Sequence, residues 1–238
     1  MARSFDGTGD YIVLANESNF DFTQSTTFSV FLWVRFTGVA STYSMVSKLN
    51  VSAPNEGWEF YQGVATDELH VYQINTFPTN ETLRDTTNAN VPATTWLCLG
   101  FTYDGAGNNN AAGVTIYKNG TPPTLGTTAN TLTGSILNNK SVTLGSRETT
   151  GIQLNGQEAF VVIWNSVLSA NSIKAMANGV NPFVLDFSNQ VCDLPLDGNN
   201  SPESDFIKQT NKGTVTNATK YAGNPAVNHL SCYISGFC

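Results

Sequence analysis

Hydrolysis of a glycosidic bond uses two carboxyl groups facing each other across roughly 5 to 9 Å. The nearest approach to such a pair in this chain is Glu56-Gly57-Trp58-Glu59. On a strand, positions three apart point to opposite faces, so these two carboxylates cannot share one cleft. Asp67-Glu68 lies in an evident turn. Histidine occurs only at His70 and His229, and no Gly-x-Ser-x-Gly is present, so a nucleophile activated by a neighbouring base has no support. Without ligand spacing among the cysteines, a zinc site is not expected either. The expectation is a chain with no catalytic residue, no metal and no cofactor.

Aromatic and sulfur chemistry remain. Trp58, Tyr61 and Tyr72 are the candidate ligand-binding residues, an aromatic platform on which a sugar ring could stack. The alternative is that Trp58 and Phe60 divide between core and surface, as in any two-layer β protein. Cys98 lies inside the apolar run Trp96-Leu97-Cys98-Leu99-Gly100-Phe101 and reads as a buried free thiol. Cys192, Cys232 and Cys238 all fall in the last quarter of the chain. Cys232 and Cys238 stand close enough in sequence to close a small terminal loop by a disulfide.

Composition narrows the partners. Only 12% of the 238 residues are charged, against about 25% in ordinary globular chains, and the net charge is −7. That sign opposes phosphate binding, so nucleic acid is not an expected partner. No apolar run approaches the roughly 20 residues that span a bilayer. Met1-Ala2-Arg3 leads into Ser4-Phe5-Asp6-Gly7 without an apolar stretch, so no signal peptide is expected. Asn-x-Ser/Thr recurs in a chain this rich in Asn, Ser and Thr, and carries no functional weight.

These side chains must be positioned by strands. Strand signals bounded by Gly, Asn, Asp or Pro recur from Tyr11 to Trp164: Tyr11–Leu14, Phe28–Phe36, Met45–Lys48, Trp58–Gln62, Leu69–Ile74, Trp96–Tyr103, Val114–Tyr117, Val142–Leu144 and Ala159–Trp164. Phe28 to Phe36 is apolar on both faces, as a central, doubly covered strand requires. Asn119-Gly120 supplies the positive φ angles of a type I′ hairpin. One helix is predicted, from N-cap Ser169 to the stop at Gly179, with Ile173, Met176 and Ala177 on one face, plugging one end of the sandwich. After residue 183 the apolar content is too low for a second core. Residues 1–183 are therefore read as one sandwich, and 184–238 as an extension wrapped over it.

Six segments in this order resemble the concanavalin A-like, laminin-G-like jelly-roll family: Ser4-Phe5-Asp6-Gly7 through Val13; Phe28 through Val34 with Trp33; Trp96 through Asp104-Gly105; Val114 through Tyr117-Lys118-Asn119-Gly120; Thr143-Leu144-Gly145-Ser146; and Gly156 through Trp164 to Ser169. The resemblance implies an all-β fold, two antiparallel sheets in a jelly-roll sandwich, with Trp33, Trp96 and Trp164 in structural positions. It implies that the exposed face of the middle strands, which carry Trp58, Tyr61 and Tyr72, can serve as a ligand surface. It also implies an acidic pair before the last core strand that helps to hold calcium. Here those positions read Ala159-Phe160, and a hard cation loses two oxygen donors. Asp6, Asp10 and Asp104 remain, in settings typical of turns.

Fold alone does not give function. The expectation is a non-catalytic, virion-associated decoration or adhesion protein of a bacteriophage, located on the virion surface. Its partners would be other virion proteins or surface glycans, and homo-oligomerisation is in keeping with such a part, although no heptad or repeat encodes it. The alternatives are an extracellular, free-standing lectin and, with less support, a glycoside hydrolase.

Overall fold

The computed structural model describes residues 1–64, 68–87, 89–198 and 200–227. Within them, two antiparallel sheets face each other as a jelly-roll sandwich. One sheet runs β15 (Thr219–Tyr221), β1 (Ala2–Asp6), β12 (Asn155–Trp164), β3 (Phe28–Phe36), β8 (Leu97–Tyr103) and β9 (Val114–Lys118), and β13 (Gln190–Leu194) also pairs with β12. The other runs β10 (Leu125–Asn130), β7 (Asn80–Thr86), β6 (Leu69–Thr76), β5 (Gly57–Gln62), β4 (Tyr43–Leu49), β11 (Thr143–Leu144), β2 (Tyr11–Leu14) and β14 (Gly213–Thr216). The two have seven and eight strands among the described residues.

Side-chain alternation explains the layers. Along β3, Phe28, Val30, Leu32, Val34 and Phe36 enter the core between the sheets, while Phe31 and Trp33 enter a second apolar cluster on the other side of the same sheet. That second layer is closed by α1 (Ala170–Ala177), whose Ile173 and Met176 pack with Phe31, Trp33, Cys98 and Trp164. Ser169 caps the helix by accepting the Ser172 N–H at 3.1 Å. The helix thus lies on the outer face of the seven-stranded sheet instead of plugging an end. The reason is the row formed by Phe31, Trp33, Val162 and Trp164, which must be covered by something apolar.

The hairpin after β9 has Asn119 at φ 48° and Gly120 at φ 85°, as its sequence requires. Six strands lie outside the nine signals read from the sequence: β1, β7, β10, β13, β14 and β15. β7 (NETLRDT) and β10 (LGTTAN) carry almost no apolar periodicity, because they form the polar margin of the eight-stranded sheet. Beyond residue 184, β13 and β15 join one sheet and β14 joins the other, with Leu194 and Leu196 in the core. Arg3 on β1 is tied to Glu203 at 2.5 Å, linking the first strand to this late segment.

Cys98 and Cys192 are both free and buried. Cys232 and Cys238 lie outside the described residues.

Candidate functional site

Strands β4 to β7 align one row of outward-facing side chains in register. Ser47 stands opposite Glu59, Glu59 opposite Tyr72, and Tyr72 opposite Leu83. In the next row Tyr61 faces His70, and His70 faces Asp85. Period-two alternation sends Trp58 and Phe60 into the core and Glu59 and Tyr61 outward.

Trp58 is therefore not a ligand-binding residue. It is 1% exposed, and its indole packs against Phe28 at 5.5 Å and Phe101 at 6.3 Å between ring centroids. Its neighbour Phe60 is buried beside it, so neither of the two reaches the surface. Trp58 and Tyr61 are three positions apart on one strand, and no flat strand can bring both to one face.

Tyr61 and Tyr72 do share a face. Tyr61 stacks on His70 with centroids 4.7 Å apart and planes 12° apart, Tyr72 follows at 6.4 Å, and Phe77 meets Tyr72 edge-on at 6.4 Å. His70, Tyr61, Tyr72 and Phe77 thus form a continuous aromatic strip across the open face of the eight-stranded sheet. Arg147, from the loop after β11, lies 5.5 Å over the Tyr61 ring and is bound to Glu59, with Nε to Oε2 at 2.8 Å and Nη2 to Oε2 at 2.5 Å.

The strip ends in a cleft of about 350 Å³. Its floor is Leu49, Tyr72, Ile74 and Arg147; its walls are Val51 and Asn55 from the β4–β5 loop, Phe77 from the β6–β7 turn, and Gly151-Ile152. The walls are braced to one another. The Phe77 N–H donates to Pro54 O at 3.0 Å, and the Val51 N–H to Glu148 Oε2 at 3.1 Å, while Glu148 also holds Lys140 at 2.6 Å. At the end of the β4–β5 loop Gly57 has φ 136°, and a Cβ there would lie 2.0 Å from Lys48 O, so only glycine fits.

Titration follows burial. Desolvation, reinforced by Glu59, pushes the Tyr61 phenol well above its usual range. Tyr72 is raised by burial and by its hydrogen bond to Glu81. Burial lowers His70 against the opposing pull of Glu68 and Asp85. Both phenols therefore act as neutral hydrogen-bonding groups and His70 as a neutral imidazole near pH 7.

The carboxylates of this face are engaged. Glu59 is fully buried beneath Arg147, Glu81 accepts from Tyr72 Oη at 3.0 Å, and Asp85 accepts from Thr128 Oγ1 at 3.1 Å. The turn aspartates behave likewise. Asp6 accepts the Thr8 N–H, Asp10 the Asp6 N–H, and Asp104 the Ala106 N–H. Ala159 and Phe160 occupy a β-bulge on β12 and are buried in the second apolar layer, so these positions contribute packing and no oxygen donors.

Sequence reasoning missed Phe77, Arg147 and Glu81, and weighed Glu59 only as one of a catalytic pair. Strand alternation from Tyr61 would have found Glu59. Phe77 and Arg147 sit in turns, where no periodicity reports direction.

A two-sheet antiparallel jelly roll with an aromatic strip and cleft on one open face defines the class as lectin-like in architecture. The chain belongs to the laminin-G-type family of the concanavalin A-like lectin/glucanases superfamily, whose model matches residues 6–174. Among solved structures, it is similar to a putative carbohydrate binding protein from Bacteroides ovatus, with a TM-score of 0.61 and 13% identity. That match covers 96% of this chain and 62% of the other, so this chain spans under two thirds of that protein. It is also similar to the CBM40 of the Ruminococcus gnavus IT-sialidase bound to α2,3-sialyllactose, with a TM-score of 0.56, 16% identity, and coverage of 74% and 96%. A search of curated protein sequences finds no match. At these identities the likeness establishes the fold.

Proposed function

We propose that the chain is a non-catalytic glycan-binding protein whose binding surface is the open face of the eight-stranded sheet. The observation that carries this reading is the aromatic strip His70–Tyr61–Tyr72–Phe77 ending in a braced cleft with Arg147 on its floor. Aromatic faces take the C–H side of a pyranose, while guanidinium and amide donors take its hydroxyls. The carbohydrate-binding descriptions of two structurally similar proteins support the same reading. A general acid must touch the glycosidic oxygen. Glu59 has no exposed surface and is tied to Arg147, which speaks against hydrolysis.

The setting we favour for this activity is a bacteriophage particle, with the protein as a surface decoration or adhesin. The low charge content and the resemblance to laminin-G-like phage reading frames support it. A glycan array with the full chain tests the binding: retention of a glycan that is lost in Phe77→Ala, with the fold intact by circular dichroism, is the expected result. Retention that survives Phe77→Ala and Tyr72→Ala would move the site elsewhere. Co-sedimentation with assembled particles tests the setting, since a free-standing lectin would bind glycans and stay in the supernatant.

A further inference from the structure

Within that glycan-binding reading, we infer that the cleft selects an uncharged sugar, and that Glu59 is the residue that sets this preference. Arg147 is the cation on the cleft floor. Its charge is already matched by the Glu59 carboxylate, held at 2.8 Å from Nε and 2.5 Å from Nη2. Glu59 is fully buried, so it is shielded from screening by salt and offsets the guanidinium at close range. The surrounding charges add to the same side. Glu81 accepts from Tyr72 Oη beside the cleft, Asp85 faces His70 in the next row, and Glu68 lies 3.6 Å from His70. On the rim, Lys140 is taken up by Glu148.

A sugar carboxylate entering this cleft would therefore meet one cation whose charge is already matched, with the buried Glu59 and Glu81 carboxylates close behind the lining. A neutral pyranose meets none of that cost. It stacks on Tyr72 and Phe77, donates a hydroxyl to Asn55 Oδ1, whose amide nitrogen is held by Asn50 O and Val51 O, and takes hydrogen bonds from the guanidinium, which carries more N–H donors than one carboxylate oxygen accepts. Arg147 thus works as a positioned donor, and buried Glu59 converts an anion site into a polyol site.

The test is an array of matched glycan pairs that differ by one acidic residue, such as lactose against α2,3-sialyllactose, probed with the full chain at low and high salt. The neutral members are expected to bind at least about tenfold more tightly, with little change on adding salt. In Glu59→Gln the ratio of acidic to neutral binding is expected to rise about tenfold, because the Arg147 charge is released. Should that variant fail to fold, the salt dependence of the unaltered protein decides. Preference for acidic members that weakens with salt overturns the inference and leaves the glycan reading standing. An unchanged ratio in folded Glu59→Gln overturns the role of Glu59. Retention of no glycan overturns both.

Discussion

Tyr72 Oη donates to Glu81 Oε2 at 3.0 Å, joining β6 to β7 on the open face of the sheet. The bond fixes the phenol ring on the floor of the cleft and gives a buried carboxylate a donor. Tyr72→Phe keeps the ring and removes only the hydroxyl. We expect a loss of about 1 to 3 kcal/mol, since Glu81 is left without that donor. A urea titration followed by circular dichroism measures it, and an unshifted midpoint would show that the bond contributes nothing.

Trp58→Ala should act on the fold and not on recognition. The side chain fills the core between Phe22, Phe28 and Phe101, and removing it leaves a large cavity. A cost of about 3–5 kcal/mol is expected. Denaturant unfolding that left the variant as stable as the parent would contradict the packing described.

Asp193 gives the protein a pH-dependent stability. Its carboxyl is buried, its two oxygens find no hydrogen-bond partner among the described residues, and burial, aided by Asp205, pushes it up to about 7 from 3.8. Between those two values the native state holds a proton that the unfolded state has released. The slope of stability against pH is then negative, and stability contributed by this group falls as pH rises from about 4 to about 7. Above that window Asp193→Asn should be more stable than the parent, with the advantage shrinking by pH 5. His70, lowered by burial from 6.5, acts with the opposite sign below about 6.5, so the comparison is made between variant and parent at each pH. Parallel stability profiles for the two proteins would sink this assignment.

Cys98 should resist thiol reagents until the protein unfolds. It is 1% exposed within β8, and burial pushes its thiol up to about 12, so almost no thiolate exists near pH 7. Peptide mass spectrometry after native labelling with iodoacetamide should find Cys98 unmodified, and the same peptide modified in guanidinium. Rapid native modification would place the thiol in a different environment.

Much of the sandwich was legible because its central strands are apolar on a period of two. Phe28 to Phe36 showed both buried faces, and Asn119-Gly120 showed its hairpin. The polar strands β7 and β10 were silent for the same physical reason: what they bury is backbone hydrogen bonds and polar side chains, with little apolar surface. Half of the candidate platform was legible too. Tyr61 and Tyr72 share a face, but grouping them with Trp58 ignored alternation along β5. The cleft itself was invisible, because Phe77, Asn55 and Arg147 are brought together by turns far apart in the chain.

The helix α1 seals the outer face of the seven-stranded sheet and leaves the aromatic strip on the opposite side of the molecule. In the glycan-binding reading proposed above, each copy would therefore be directional, with the aromatic cleft on one side and the helix-covered sheet on the other. Weak contact at a single cleft becomes firm attachment only through avidity, when several copies are arrayed so that their clefts engage together.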